Sequence, residues 1–302
     1  MKIHARSLLY FEKIRQCHSI REAARQLHVD ASAVNRQLIK LEETLGAEVF
    51  ERLPSGLKLT EAGRLLAQHL VTVFQDEQRL KSELEGLKGI RSGNISVVSV
   101  EGLNEDFMPV VIEKMISTYP GVKINCRFDG SANIARLIEE GEVDLGLAFS
   151  IPSEANLQCC AAVNLKLGAI VQPSHPLASR VDITFADCLA YPLILGTPEI
   201  AIYSLMQPLL EGHQGCANVL LQTSSLVMMK KLAQRGMGVA FQTRLGMKAE
   251  LQEGSLVHLP LRPPSAVEAK LGVYIRKGRA LSPSLAAFVN IVSELLRAYE
   301  TA

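Results

Sequence analysis

Apolar residues near the start of the chain recur at helical spacing and predict three short helices. The first lies near residues 5–16, the second begins at Ile20, and the third covers residues 31–45. The residues that carry this pattern are Leu8, Phe11, Ile14, Ala23, Ala24, Leu27, Val34, Leu38, Leu41 and Leu45.

Polar residues and one glycine mark the ends of these helices. Ser19, followed three residues later by Glu22, is the pattern of a capping box at the start of the second helix. Residues 28–29 form a tight break, Asp30 is expected to cap the third helix, and Gly46 ends it. A helix, a turn of about three residues and a second helix is the spacing of a helix-turn-helix motif.

Two short extended segments follow the third helix, at residues 49–53 and 57–60. Pro54 and Gly56 lie between them, as in the turn of a hairpin. A hairpin at this place is the wing of a winged helix-turn-helix.

Residues 61–89 contain no proline, and their apolar positions alternate in steps of four and three. This pattern predicts one long helix with an apolar seam. Either a partner helix from a second subunit covers the seam, or the helix packs against its own chain. The seam positions are Leu66, Leu70, Val73, Glu77, Leu80, Leu84 and Leu87.

After a predicted hinge at residues 89–93, extended and helical patterns alternate to the end of the chain. This alternation predicts an α/β fold, mostly parallel, in two lobes. The strands are expected at 94–100, 122–128, 143–150, 167–171, 193–195, 219–222 and 238–242, and the main helices at 107–118, 131–140, 224–235 and 283–299.

Length and charge fit a protein with a DNA-binding end. The 302 residues are 48% hydrophobic, enough for two or three domains with their own cores. The net charge is only +1, but residues 1–60 hold ten Lys and Arg against seven Asp and Glu. The other residues, with 22 basic and 24 acidic side chains, are slightly acidic. A basic head on an acidic body favours contact with nucleic acid through one end.

The chain shows no sign of secretion, membrane insertion or enzyme chemistry. It has no signal-peptide core, no apolar run long enough for a bilayer and no C-x-x-C pair among its six cysteines. We therefore expect a cytoplasmic protein without metal or cofactor, and not an enzyme, since the usual catalytic motifs are missing. A transporter's solute-binding protein and a redox sensor using Cys188 and Cys216 are the other readings, although cysteines are more often small buried residues.

Several segments resemble the LysR-type family of transcriptional regulators. At the N-terminus these are residues 20–29, 33–38 and 59–63, and in the body 141–146 and 236–240. The resemblance implies a winged helix-turn-helix DNA-binding domain, a dimerising linker helix and a two-lobed effector-binding domain similar to periplasmic binding proteins. The limits expected for these parts are 1–60, 61–90 and 91–302, with lobe I at 91–163 and 267–302 and lobe II at 164–266.

The same resemblance implies what the protein binds. It would be a bacterial homodimer or homotetramer on a double-stranded DNA operator with partial dyad symmetry. A small-molecule effector would lie in the cleft between the two lobes. RNA polymerase is left open as a further partner.

The chain departs from the family pattern at three places. Residues 30–32 read Asp-Ala-Ser where Ser-Gln-Pro is common, and Ala31 cannot hydrogen-bond a base. Asn35 stands where serine is usual and offers both a donor and an acceptor. Residues 241–243 read Phe-Gln-Thr in place of a Leu-Pro pair, which changes the polar chemistry at the cleft edge.

The candidate DNA contacts lie on the polar face of the third helix and beside the wing. Arg36 suits guanine or phosphate, Asn35 suits adenine, and Ser32 suits a base or the backbone. An ordinary solvated charged face is the alternative. The full set is Ser32, Asn35, Arg36, Lys40, Arg52 and Lys58.

The candidate effector contacts follow predicted strands, because ligands of two-lobed α/β domains lie at strand ends. Ser131 begins a helix whose free N–H groups favour an anion, whereas Glu101 favours a hydroxyl or a cation. Structural capping is the alternative role for these side chains. The full set is Ser99, Glu101, Ser131, Phe149, Thr197, Thr223 and Gln242.

Overall fold

The computed structural model describes most of the chain, and its contacts divide it into two compact units between Lys81 and Ser82. The described residues are 6–54, 56–87, 92–151, 155–181, 183–213 and 215–299. Residues 89–91 of the predicted hinge lie outside this set, while residues 92–93 begin a strand.

The N-terminal unit is a winged helix-turn-helix that continues into a long helix. Its elements are α1 (Arg6–Cys17), α2 (Ile20–Leu27), α3 (Ala31–Leu45), β1 (Phe50–Leu53), β2 (Gly56–Leu59) and α4 (Glu61–Leu87). Strands β1 and β2 form the predicted antiparallel wing.

The helix ends follow the sequence signals only in part. The Ser19 hydroxyl accepts a hydrogen bond from the backbone N–H of Glu22, but the Glu22 carboxylate bonds Arg25 and Gln26 instead of completing the capping box. Asp30 occupies the cap position of α3 without a side-chain hydrogen bond, so the prediction of a side-chain cap there is wrong.

The core of the N-terminal unit joins the three short helices to the start of α4. Phe11, Val34, Leu38 and Leu70 are buried in it. The first part of the α4 seam therefore packs within its own unit. Leu80 and Leu84 further along the seam are exposed, and the side chain of Leu87 lies outside the described residues.

The C-terminal unit begins at the end of α4 and is an α/β structure. Its helices are α5 (Phe107–Thr118), α6 (Ser131–Glu139), α7 (Phe185–Cys188), α8 (Ala201–Glu211), α9 (Leu226–Gln234), α10 (Lys248–Glu253) and α11 (Pro283–Arg297). Its strands are β3 (Ser92–Ser99), β4 (Gly121–Phe128), β5 (Leu145–Phe149), β6 (Leu157–Val171), β7 (Leu193–Gly196), β8 (Val219–Thr223), β9 (Val239–Thr243), β10 (Val257–Pro260) and β11 (Glu268–Arg276).

The strands run in the order β4-β3-β5-β11-β6-β9-β7-β8, with β10 also beside β6. The pairs within each lobe, β3 with β4 and β5, and β7 with β8 and β9, are parallel. Strands β6 and β11 pair antiparallel with all their neighbours, so the prediction of a mostly parallel sheet is wrong. Strand β6 exceeds the predicted residues 167–171 because its first half pairs with β11.

Each lobe has its own apolar core. Lobe I buries residues such as Val97, Met108 and Phe288, and lobe II buries residues such as Phe185 and Phe241. Strand β6 contributes to both, pairing with β11 as far as Lys166 and with β9 from Leu167. Strand β6 thus connects the two lobes, and a cavity lies between the facing ends of the lobes.

Candidate functional site

Helix α3 presents one polar face to solvent. Val34, Leu38 and Leu41 are buried at steps of four and three, so residues offset from them by about half a turn point outward. Ser32, Arg36 and Lys40 are exposed, and Asn35 is half-buried. The predicted recognition face is therefore free within its unit.

The wing lies beside this face. The guanidinium Nη2 of Arg52 donates to Oδ1 of Asn35 over 3.5 Å. Lys58 faces Glu51 across the hairpin, with Nζ 3.9 Å from Oε1. Both cations are exposed, and pairs of this kind at a surface are weak and readily exchanged for phosphate.

The wing is anchored to the turn after α1. The backbone N–H of Leu57 donates to the carbonyl of His18 over 3.0 Å. Gly56 has a φ of +120°, and a Cβ there would lie 2.9 Å from the same carbonyl oxygen. A glycine is required where the wing approaches this turn so closely.

A cavity of about 290 Å³ lies between lobes I and II. Its wall is largely apolar, with Glu101, Asp129, Glu199, Ser224, Gln242 and Thr243 as the polar lining residues. The large apolar lining residues are Val100, Leu103, Phe128, Phe149, Ile200, Ile202, Leu205, Leu226 and Leu245.

Glu101, Phe149 and Gln242 of the predicted effector contacts line this cavity. The other four, Ser99, Ser131, Thr197 and Thr223, are not among its lining residues, and the expectation that they form its wall is corrected.

Three of these four hydroxyls have local roles. Ser131 accepts a hydrogen bond from the backbone N–H of Phe149, and Thr223 accepts one from that of Ser225. Ser99 is fully buried and donates to the Val100 carbonyl. Each of these hydrogen bonds lies at the end of a strand.

Asp129 and Glu199 are the lining carboxylates that the sequence analysis missed. Asp129 directly precedes the Gly130-Ser131 turn that was singled out, and Glu199 lies two residues after Thr197. Their proximity to the predicted turns was the signal that could have found them. Ser131 was chosen near Asp129, and Thr197 was chosen near Glu199.

Each lining carboxylate lies at the start of a helix. Glu101 accepts the backbone N–H of Leu226, the first residue of α9, over 3.4 Å. Asp129 accepts the N–H of Gly130, which caps α6, over 2.7 Å. Glu199 precedes α8, and the nearby Thr197 hydroxyl, followed by its own backbone N–H, lowers the pKa of Glu199.

Gln242 is the most deeply buried polar residue of the wall. Its side chain is 3% exposed, and its Oε1 has no hydrogen-bond partner. On the backbone side, the Gln242 carbonyl accepts from Nε2 of His258 over 3.0 Å. A buried unpaired acceptor is costly, and this one lies in the wall of a cavity.

A buried ionic network joins the lobes close to this cavity. Lys230 of α9, 3% exposed, binds the carboxylate of Glu105 from lobe I, Glu250 of α10 over 2.7 Å, and the Gly246 carbonyl over 3.0 Å. Burial lowers the pKa of Lys230, but the two carboxylates outweigh it and raise the pKa overall. The lysine is therefore charged in the structure.

The cysteines singled out as redox candidates differ in exposure. Cys188 is buried, and burial followed by the Asp187 charge raises its pKa to about 12. A thiol so protonated is a poor nucleophile. Cys216 is exposed.

The described residues offer neither a metal site nor a membrane-spanning helix. His, Cys, Asp and Glu side chains there form no group of three that could hold a metal ion. Among the helices described, none is long and apolar enough to cross a bilayer.

Two sequence profiles of known families match the chain. The profile of the LysR substrate binding domain matches residues 88–297, and that of the bacterial regulatory helix-turn-helix protein, lysR family, matches residues 5–64. Together they span both units.

The proteins to which this chain is similar include transcriptional regulators that match most of its length. The HTH-type transcriptional regulator CbbR of Rhodospirillum rubrum is 27% identical over 97% of each chain. The transcriptional activator protein LysR of Escherichia coli is 24% identical over 79% of this chain and 76% of its own. A full-length OxyR variant from Pseudomonas aeruginosa, 16% identical, superposes with a TM-score of 0.72 over 95% of this chain and 96% of its own, which shows a shared fold.

Proposed function

The chain belongs to the LysR family of DNA-binding transcriptional regulators, and from this premise we propose how its parts act. Members of the family are regulators and not enzymes. The N-terminal unit binds a double-stranded operator with partial dyad symmetry. The cavity of the C-terminal unit binds a small-molecule effector that changes the affinity for that operator.

Specific DNA binding is assigned to the exposed face of α3. The exposure of this polar face is the observation that supports the DNA-binding role. Arg36 binds guanine or a phosphate, and Asn35, with Oδ1 facing Arg52, keeps its amide N–H groups for a base. Ser32 and Lys40 supply backbone contacts from the same face. Arg52 and Lys58 grip phosphates on either side of the wing.

Assembly is assigned to the later half of α4. Leu80 and Leu84 are 41% and 40% exposed in the single chain. The helix that carries them cannot cover its own apolar seam. A second copy of this helix covers them in a homodimer, from which a tetramer can form. Several further expectations remain predictions. They are the limits 1–60, 61–90 and 91–302 for the three parts and the limits of the two lobes within the last part. A cytoplasmic location and a contact with RNA polymerase also remain predictions.

Regulation is assigned to the cavity because it lies between two lobes. A ligand shifts an equilibrium only by binding one conformation better than another. Glu101 and Phe149 belong to lobe I and Gln242 to lobe II, so a ligand that contacts all three binds best when the lobes are close. Lobe closure is then the event that the operator-binding end senses.

Footprinting of the DNA beside the protein's own coding region tests this proposal. We expect a protected region with two related half-sites, and a changed protection pattern when a metabolite that binds the C-terminal unit is added. Protection that never depends on any ligand bound in the cavity would contradict the regulatory role. Absence of any specific protection would contradict the DNA-binding role.

A further inference from the structure

We propose that the effector is an apolar molecule carrying a protonated amine, an inference that rests on the effector role proposed for the cavity. The first observation that supports this proposal is the charge of the cavity wall. Among the described lining residues, Glu101, Asp129 and Glu199 are acidic, and none is Lys, Arg or His. A wall of this composition repels an anion and attracts a cation.

Helix dipoles do not reverse this preference. Helices α6, α8 and α9 all begin at the cavity, and a free helix N-terminus, equivalent to about +0.5 charge, favours an anion. Here each start already has its own carboxylate beside it, namely Asp129, Glu199 and Glu101. Three helix N-termini contribute about +0.5 charge each, and three carboxylates contribute −1 each. The net charge at the wall is therefore about −1.5.

Gln242 supplies the second, independent observation. Its Oε1 is buried in the wall without a partner and therefore needs a hydrogen-bond donor from the ligand. An ammonium group has three donors and no acceptor, whereas a carboxylate has only acceptors. The same head group that suits the three carboxylates thus also satisfies the unpaired oxygen of Gln242.

The rest of the wall fits an apolar body. Phe128 and Phe149 line the cavity together with several aliphatic side chains, and aromatic rings also attract ammonium groups. The volume of about 290 Å³ is roughly twice that of an engineered cavity of about 150 Å³ that holds benzene. One ring with a short amine chain is of the right size.

Calorimetry on the full chain with matched probes tests the proposal. Three apolar skeletons, phenylpropyl, cyclohexylpropyl and indolylethyl, are each measured with an amine, an alcohol and a carboxylate head. We expect each amine to bind at least about tenfold tighter than its carboxylate, because one unit charge near another at an effective dielectric constant of about 20 is worth more than that. The alcohols should lie between them.

Variants connect this ranking to the cavity. Replacing Glu101 and Glu199 together by Gln should reduce the amine-to-carboxylate ratio at least about tenfold and leave the alcohols within about twofold. Replacing Glu113 and Glu253 together by Gln, the same charge change at two exposed residues outside the lining, should leave the ratio unchanged. Gln242→Met should weaken amines and alcohols but not carboxylates.

The outcomes separate the two proposals. If the carboxylates bind tighter than the amines, the amine proposal is overturned while the cavity remains a binding site. If Ser224→Trp, which fills the cavity from its exposed edge, does not remove binding, the probes bind elsewhere and the amine proposal falls. If none of the nine probes binds at millimolar concentration, the amine proposal falls, and the effector role of the cavity is decided separately by the ligand dependence of the footprint.

Discussion

The guanidinium of Arg52 lies 3.5 Å from Oδ1 of Asn35, which connects the first wing strand to the recognition helix. Both side chains are candidate DNA contacts, and they come from different elements of the N-terminal unit. Because the contact is long and exposed, it adds little to stability. In the proposed function it places the phosphate contact of Arg52 beside the base contact of Asn35.

Arg36→Ala should weaken binding to the operator by about 1–3 kcal/mol, the typical worth of a specific base contact. Lys58→Ala should weaken binding to all sequences alike and reduce the salt slope by about one unit, because it removes one phosphate contact. Titrations with operator and unrelated DNA at several salt concentrations distinguish the two. Unchanged operator affinity for Arg36→Ala at physiological salt would place the recognition face elsewhere.

Replacing Leu80 and Leu84 together by Lys should disrupt the oligomer, since it brings like charges together in the proposed seam. Sedimentation should show a smaller species that has lost operator affinity. Leu65→Lys is the matched control, because Leu65 is 62% exposed on the same helix and lies off the seam. An unchanged oligomer in the double variant would mean that other surfaces hold the subunits together.

Sequence periodicity predicted the N-terminal unit well because its helices are amphipathic and its core is local. The 3.6-residue repeat of Val34, Leu38 and Leu41 fixes both the core face and the exposed polar face of α3. The same reasoning could not divide the α4 seam, where Leu70 is buried by its own unit and Leu80 is not. That difference depends on where the neighbouring helices end.

Lys230→Met should lower the free energy of unfolding by about 3–5 kcal/mol, because it leaves the buried carboxylate of Glu250 without a partner. Replacing Lys230 and Glu250 together by Met should recover most of this loss, since Glu105 is 40% exposed and can turn to water. Urea unfolding of wild type, both single variants and the double variant gives the coupling. A single Lys230→Met variant as stable as wild type would contradict a buried ion pair between Lys230 and Glu250.

His258 should make stability depend on pH. Burial lowers its pKa from 6.5 to about 4, with the Gln242 carbonyl opposing and Arg244 adding to the effect. Below pH 6.5 the unfolded chain binds the proton and the folded chain does not, so stability falls as the pH decreases towards 4. Between pH 7.5 and 5 this histidine should account for about 2 kcal/mol.

His258→Gln removes this titration and keeps a side chain that can donate to the Gln242 carbonyl. Urea unfolding at both pH values should therefore show a smaller loss of stability in the variant than in wild type. Equal losses in the two proteins would mean that His258 is not buried in its neutral form.

The cavity wall was predicted only in part because a strand end specifies a region and not the direction of each side chain. Ser131 and Phe149 were both expected to line it, yet the Ser131 hydroxyl caps the Phe149 N–H while the Phe149 side chain lines the cavity. Asp129 and Glu199 were missed since they come from loops whose approach depends on how the lobes pack. The two loops lie so close together that a Cβ on Gly130 would be 2.4 Å from the backbone carbonyl oxygen of Glu199.

Selection of binding sites from a pool of random double-stranded DNA tests the central claim most directly. The wild-type protein should enrich sequences with two related half-sites in partial dyad symmetry, and Arg36→Ala should lose that enrichment while it still retains DNA weakly at low salt. Recovery of no common sequence by the wild-type protein, or of the same sequence by Arg36→Ala, would contradict a DNA-binding regulator that reads its operator through α3.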